Sequence, residues 1–152
     1  MLDIVQSGQS LPNYATVAII GGGIAGVAAA IFLSKAGIPS VLFEKGRIAA
    51  EQSSRNWGWI RKQGRDVKEL PLMIESERLW REIVEEIDED IGYRVGGVTY
   101  LAQTEAELAL RESWMVNATD FGLDSRMLST DEVQALLGIN TPGCNIRGAL
   151  YT

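Results

Sequence analysis

The chain has 152 residues, 46% of them apolar and 22% charged, with a net charge of −6. That balance suits a globular domain with a core and leaves no basic tract for nucleic acid. The absence of histidine and the presence of one cysteine, Cys144, exclude Ser-His and Cys-His nucleophile pairs, an internal disulfide, an iron–sulfur cluster and the usual zinc sites. Any redox chemistry then falls to a bound organic cofactor, with the protein supplying position and charge.

Residues 1–13 read as a flexible polar leader without the basic-then-apolar order of a secretory signal. Cytoplasm is the expected compartment, and Cys144, between Gly143 and Asn145, reads as an incidental loop thiol. The stretch Thr16-Val-Ala-Ile-Ile-Gly-Gly-Gly-Ile-Ala-Gly26 predicts a strand, a glycine turn and a helix that runs from about Ile24 to Lys35 or Ala36. Gly37 and Pro39 stop that helix, and Ser40 to Glu44 predicts a second strand. Tyr14 to Ser34 carries no charge and is long enough to imitate a membrane span. Three successive glycines in its middle, Ala28 to Ala30 and the lack of a basic flank argue instead for a turn that cradles a nucleotide.

Each part of that turn has a physical job. Gly21 permits a tight turn off the strand, Gly23 lets the backbone approach a diphosphate, and Gly26 lets helix and strand pack closely. The helix start then offers free N–H groups and the positive end of its dipole to phosphate oxygens. Glu44 follows Gly26 by 18 residues, near the offset of about 20 at which an acid accepts ribose hydroxyls. Its charge repels a 2′-phosphate, so FAD or NAD is expected rather than NADP.

After Glu44 the alternation of strand and helix breaks. Lys45 to Gly64 is a polar, aromatic-studded loop, and Asp66 to about Asp90 predicts a long helix. Leu70, Met73, Ile74, Trp80, Ile83, Val84, Ile87 and Ile91 are spaced along that helix for one buried stripe. Glu82, Glu85, Glu86, Asp88, Glu89 and Asp90 crowd its end, a solvated face rather than a metal site, and acid there opposes the dipole and promotes fraying. Tyr93 to Ala102 predicts a strand bent at Gly96-Gly97. Thr104-x-x-Glu107 caps a helix to about Phe121, with Trp114, Met115 and Phe121 as core residues, and Ser129-x-x-Glu132 caps a shorter helix ending near Gly138. Ile146 to Thr152 reads as a strand. Val17 to Ile20 and Val41 to Phe43 expect cover on both faces, so the chain reads as the front part of something larger.

Three motifs carry a family resemblance beyond the glycine turn: Ser53-Ser-Arg-Asn-Trp-Gly-Trp-Ile-Arg-Lys-Gln-Gly-Arg-Asp66 followed by Leu70-Pro71-Leu72 and Leu79-Trp80, Gly96-Gly-Val-Thr-Tyr-Leu101, and Leu128-Ser-Thr-Asp-Glu-Val133. With the turn and Glu44, the chain resembles the N-terminal portion of the D-amino-acid oxidase family of flavoproteins, nearest the sarcosine-oxidase and glycine-oxidase-like members. The fold this implies is α/β: a Rossmann-type FAD-binding βαβ unit with an incomplete sheet, then a long helix and the start of an α+β substrate domain. The domain reading is a leader at 1–13, the N-terminal part of the FAD-binding domain at 14–92 and an incomplete substrate domain at 93–152.

The resemblance implies that Gly21, Gly23 and Gly26, with Ile24 and Ala25 in the same turn, face the FAD diphosphate. It puts Glu44 on the adenosine ribose, Lys45 near the adenosine half, and Ser53 and Ser54 on the diphosphate. Arg55, Asn56, Gly58 and Trp59 would pass close to the isoalloxazine, and Arg61 would bind a substrate carboxylate, with Arg65 as its competitor. A loop of small residues, hydroxyls and a guanidinium suits a flat anionic ligand. The expected activity is FAD-dependent oxidation of an amino acid or secondary amine, this chain alone being inactive. Expected partners are that small molecule and the missing C-terminal half or a partner chain, with no nucleic acid and no membrane span. The rival readings are a flavoprotein dehydrogenase acting on a hydroxy acid and a non-catalytic nucleotide-binding module.

Overall fold

The computed structural model describes residues 7, 8, 10–138 and 145–152. Cys144 and much of the leader lie outside the described residues. The chain divides into two compact units, the first running to Trp59 and the second spanning Ile60–Thr152.

In the first unit, β1 (Val17–Ile20) and β2 (Ser40–Phe43) pair in parallel, Val17 opposite Ser40 and Ile20 opposite Phe43. They are joined by α1 (Ile24–Lys35), which packs on both strands. Helix α1 stops where expected: the N–H of Ala36 still bonds to Phe32, and Gly37 then takes a left-handed conformation, φ 68°. Exposure alternates along β1, because α1 covers one face of the pair only. Ile20 is 90% exposed, so the two-sided cover expected for these apolar strands is not supplied by the described residues of this unit.

The second unit opens with a 3₁₀ turn at Val67–Glu69, whose N–H at Lys68 bonds to the Asp66 side chain at 2.9 Å. Helix α2 (Leu70–Glu86) follows, with Leu70 fully buried. It ends four residues short of the predicted Asp90, with Ile87 already extended. No glycine cap stands at that point, and the run of acids opposes the helix dipole. Asp90 instead pairs with Arg94 at 2.7 Å, and that guanidinium, with the N–H of Gly92, pulls its carboxyl down to about 2.

A three-stranded antiparallel sheet forms the body of this unit. Its order is β3 (Thr99–Ala102), β5 (Gly148–Tyr151), β4 (Arg126–Leu128). Strand β3 starts later than the predicted Tyr93, because Gly97 at φ 74° turns the chain out of the ladder. Strand β4 has no counterpart in the sequence pattern; three residues are too few to show a period of two. Helix α3 (Glu105–Asp120) packs on β3 and β5, and α4 (Thr130–Leu137) packs on β4 and β5. Leu128, Val133 and Ala149 make the core, with Leu101, Ile146 and Tyr151 against it. Trp114, Met115 and Phe121 are half-buried along and just beyond α3.

Both predicted helix starts are present. Thr104 accepts from the N–H of Glu107 at 3.2 Å, while Glu107 reaches one residue further back, to the N–H of Gln103. At α4 the capping box closes in full between Ser129 and Glu132, and Gly138 ends the helix at φ 61°. An eight-residue helix is too short to hold itself without such a cap. Ser129→Ala is expected to lower stability by about 1 kcal/mol, read as a lower thermal midpoint, whereas Ser129→Asp keeps it.

Candidate functional site

The turn after β1 is built from close contacts. Gly21 sits at φ 103°, a conformation that side chains rarely adopt, and its N–H bonds to the Phe43 carbonyl at 2.8 Å. A Cβ on Gly26 would stand 1.9 Å from the Gly21 carbonyl oxygen. Only a glycine lets the first turn of α1 lie against the strand end, which aims the helix N-terminus outward beside it. Ala25 shares that turn, where backbone N–H groups have no partner within the helix.

Glu44 is held by two backbone donors. Its carboxylate accepts from the N–H of Gly22 at 2.7 Å and from the N–H of Gly46 at 2.8 Å. Those bonds, followed by the charge of Lys45, hold its carboxyl below the ordinary value of 4.5. The acid is therefore ionised and fixed in direction at the mouth of the turn. Ser53 stands at the start of α1, its hydroxyl accepting from the N–H of Ile24 at 2.9 Å, and a Cβ on Gly23 would come within 3.0 Å of that oxygen. A hydroxyl at that position satisfies the kind of donor that phosphate oxygens take at helix N-termini.

The predicted loop stays in the same unit as far as Trp59. A 3₁₀ turn spans Gln52–Ser54, and Ser54 donates to the Ala49 carbonyl. Asn56 donates to the Ser53 carbonyl and accepts from Gly58 at 2.6 Å. Lys45 and Arg55 both pair with Glu51, at 3.6 and 3.0 Å. Trp57 is 92% exposed and Trp59 about half that. Three contributors were missed from sequence. Gly22 has no role in the glycine spacing, yet it supplies the donor to Glu44. Ile48 packs where a Gly22 Cβ would go, and Ala49, at φ 58°, bonds its N–H to the Gly22 carbonyl at 2.9 Å.

Arg61 belongs to the second unit. Its guanidinium donates to the Gln63 carbonyl at 2.6 Å and lies over the Tyr100 ring, 5.9 Å from the centroid. Arg65 pairs instead with Glu69 at 3.7 Å on the surface, and Lys62 pairs with Glu77, which also holds Arg81. A cavity of about 350 Å³ opens beside Tyr100, walled by Leu110, Arg111, Trp114 and Leu150. Among the described residues no group of three or more acidic or cysteine side chains could hold a metal, and no helix is long and apolar enough to cross a membrane.

The chain matches known proteins over most of its length. The family described as FAD dependent oxidoreductase (DAO) matches residues 16–152. The beta subunit of sarcosine oxidase from an Arthrobacter species is 35% identical over 143 residues, which cover 89% of this chain and 35% of that protein. The structure of L-amino acid deaminase from Proteus myxofaciens, solved with anthranilate, superposes with a TM-score of 0.87 at 30% identity, over 97% of this chain and 34% of that one. Glycine oxidase from Bacillus cereus gives 0.73 at 30% identity, over 91% and 38%. The chain thus spans about a third of the length of the relatives it matches. The glycine turn, the acid that closes β2 and the match from residue 16 onward lead to one assignment: the chain belongs to the DAO family of FAD-dependent oxidoreductases.

Proposed function

We propose that this chain holds the ADP half of FAD in an enzyme that oxidises an amino acid or secondary amine. The observation that carries the reading is the pair of prepared groups at one turn: an ionised Glu44 fixed by Gly22 and Gly46, and a hydroxyl, Ser53, at the start of α1. The donor set fits the cofactor. Gly23, Ala25 and Gly26 bring backbone N–H groups to the diphosphate, Gly21 shapes the turn through its bond to the Phe43 carbonyl, and Ile24 gives its N–H to the Ser53 hydroxyl. Ser53 and Ser54 add hydroxyls, and Glu44 accepts from the ribose. Lys45 serves the adenosine half, while Arg55, Asn56, Gly58 and Trp59 line the way to the ring system. Residues 14–92 then serve as part of the FAD-binding domain and 93–152 as part of the substrate domain.

When bound, FAD would supply the two-electron acceptor for oxidation of the substrate's C–N bond. The chain's own part is orientation. Arg61 holds the substrate carboxylate by the fork geometry that a guanidinium offers. No side chain is needed as a base if the amine arrives neutral. The names of the relatives support an amine or amino acid over a hydroxy acid.

Two measurements test this reading. Glu44→Gln removes the charge that the ribose hydroxyls meet and is expected to weaken FAD about fivefold, since bonds to a charged acceptor exceed neutral ones by about 1 kcal/mol; unchanged FAD affinity by titration would remove Glu44 from the site. Under anaerobic conditions, amino acids and N-methyl amino acids should bleach the flavin and hydroxy acids should not. The pH dependence has a defined sign. A carboxyl held below 4.5 stabilises the fold above that pH and loses the effect as pH falls through its lowered value. The gap in thermal midpoint between wild type and Glu44→Gln is therefore expected to stay constant from neutral pH down to about 4.5 and to close below it.

A further inference from the structure

Gln63 is the one polar side chain that is fully buried among the described residues. Such a group persists only when its amide is satisfied. Its Nε2 donates to the Val98 carbonyl at 3.0 Å, and its Oε1 accepts from the Thr152 hydroxyl at 2.7 Å. Thr152 in turn bonds to the Ser125 hydroxyl at 2.8 Å, and its backbone pairs with Val98 in both directions. The amide therefore stitches the segment after the long loop to the ends of β3 and β5. Its backbone carbonyl is left facing Arg61 and takes the guanidinium at 2.6 Å.

The next residue fixes the other side. Gly64 sits at φ 69°, and a Cβ there would lie 2.8 Å from the Tyr100 ring and 3.1 Å from the Arg61 guanidinium. Tyr100 also carries the guanidinium of Arg111 at 5.1 Å from its centroid, and the Nε of Arg111 is buried without a hydrogen-bond partner. Two cations on one ring repel each other, and the ring's negative face offsets only part of that. A carboxylate arriving at Arg61 would relieve the repulsion, so the pair favours an anion over a neutral group.

We propose that Gln63 and Tyr100 are positioning residues that set the Arg61 guanidinium for the substrate carboxylate, with Arg111 raising the preference for charge. This rests on the reading of Arg61 given above. Gln63 anchors the carbonyl that Arg61 bonds to, and Tyr100 supplies the face on which the guanidinium lies. The phenol hydroxyl is not required for that, only the ring. Arg111 reaches the substrate through its field across Tyr100, not by contact.

The test uses the complete FAD-loaded enzyme, the amino acid it turns over fastest and the primary amide of that amino acid. Tyr100→Leu is expected to raise KM for the acid about tenfold, with kcat within twofold and KM for the amide unchanged. Tyr100→Phe should restore the wild-type preference for acid over amide, which a loss of packing alone would not predict. Gln63→Leu tests the anchor, and its thermal midpoint is read beside it; if it does not fold, Arg111→Met carries the measurement and should lower the acid-to-amide preference about threefold. Arg61→Met separates the two readings. If it leaves the preference intact, Arg61 does not bind the carboxylate and both readings fail. If it abolishes the preference while Tyr100→Leu matches wild type, the positioning role alone is overturned.

Discussion

The approach of Gly26 to the Gly21 carbonyl is the constraint on which the first unit depends. With 1.9 Å available to a Cβ, any other residue would push α1 away from β1. The start of α1 would then no longer lie beside the strand end, and Ser53 could not reach the N–H of Ile24. The left-handed Gly21 feeds the chain into this contact, and Gly22 follows with the N–H that Glu44 takes up. One steric requirement thus places a helix N-terminus, a hydroxyl and an ionised carboxylate around the same turn. That arrangement costs conformational entropy at each glycine, which the parallel pairing of β1 with β2 and the two bonds to Glu44 offset.

Local chemistry in the sequence made much of this visible. Helix α1 could be bounded because glycines and a proline punctuate it, and α3 and α4 could be started from Thr104 and Ser129 because a cap is written within four residues. The glycine spacing and the acid at 44 pointed to a nucleotide turn, because each residue type there serves one geometric need. What stayed hidden depends on partners distant in the chain. Glu44 meets Gly22 across 22 residues, and Gln63 meets Val98 across 35 and Thr152 across 89. In the sequence Gln63 is one more polar residue in a polar loop. Its burial follows only from the ends of β3 and β5 closing over it. Strand β4 is likewise defined by its neighbour β5 rather than by its own three residues. The early end of α2 lay between these cases: the acids announced a weak terminus, but where it stops depends on Asp90 finding Arg94.

The two units solve opposite electrostatic problems. The first unit gathers backbone N–H groups around a carboxylate and a hydroxyl, so its directional charge comes from the main chain. Such donors are rigid and cost nothing to reorganise, which suits a ligand held by its phosphates and sugar. The second unit gathers guanidinium groups around one aromatic ring, so its charge comes from long side chains that must be held in place. That is why it needs a buried amide, a left-handed glycine and a stacking ring close to Arg61, and why the edge of a three-stranded sheet is a suitable place for it.

The uncovered face of β1 and β2 bears on both. A parallel pair of apolar strands is stable in water only when both faces are packed, and a side chain as large as Ile20 at 90% exposure represents about 1.5–3 kcal/mol of burial not yet realised. The glycine turn lies at the end of that same pair. Burial of the bare face would therefore bear on the strands that lead into Gly21 and Glu44. The bare apolar face and the glycine turn are thus borne by the same two short strands.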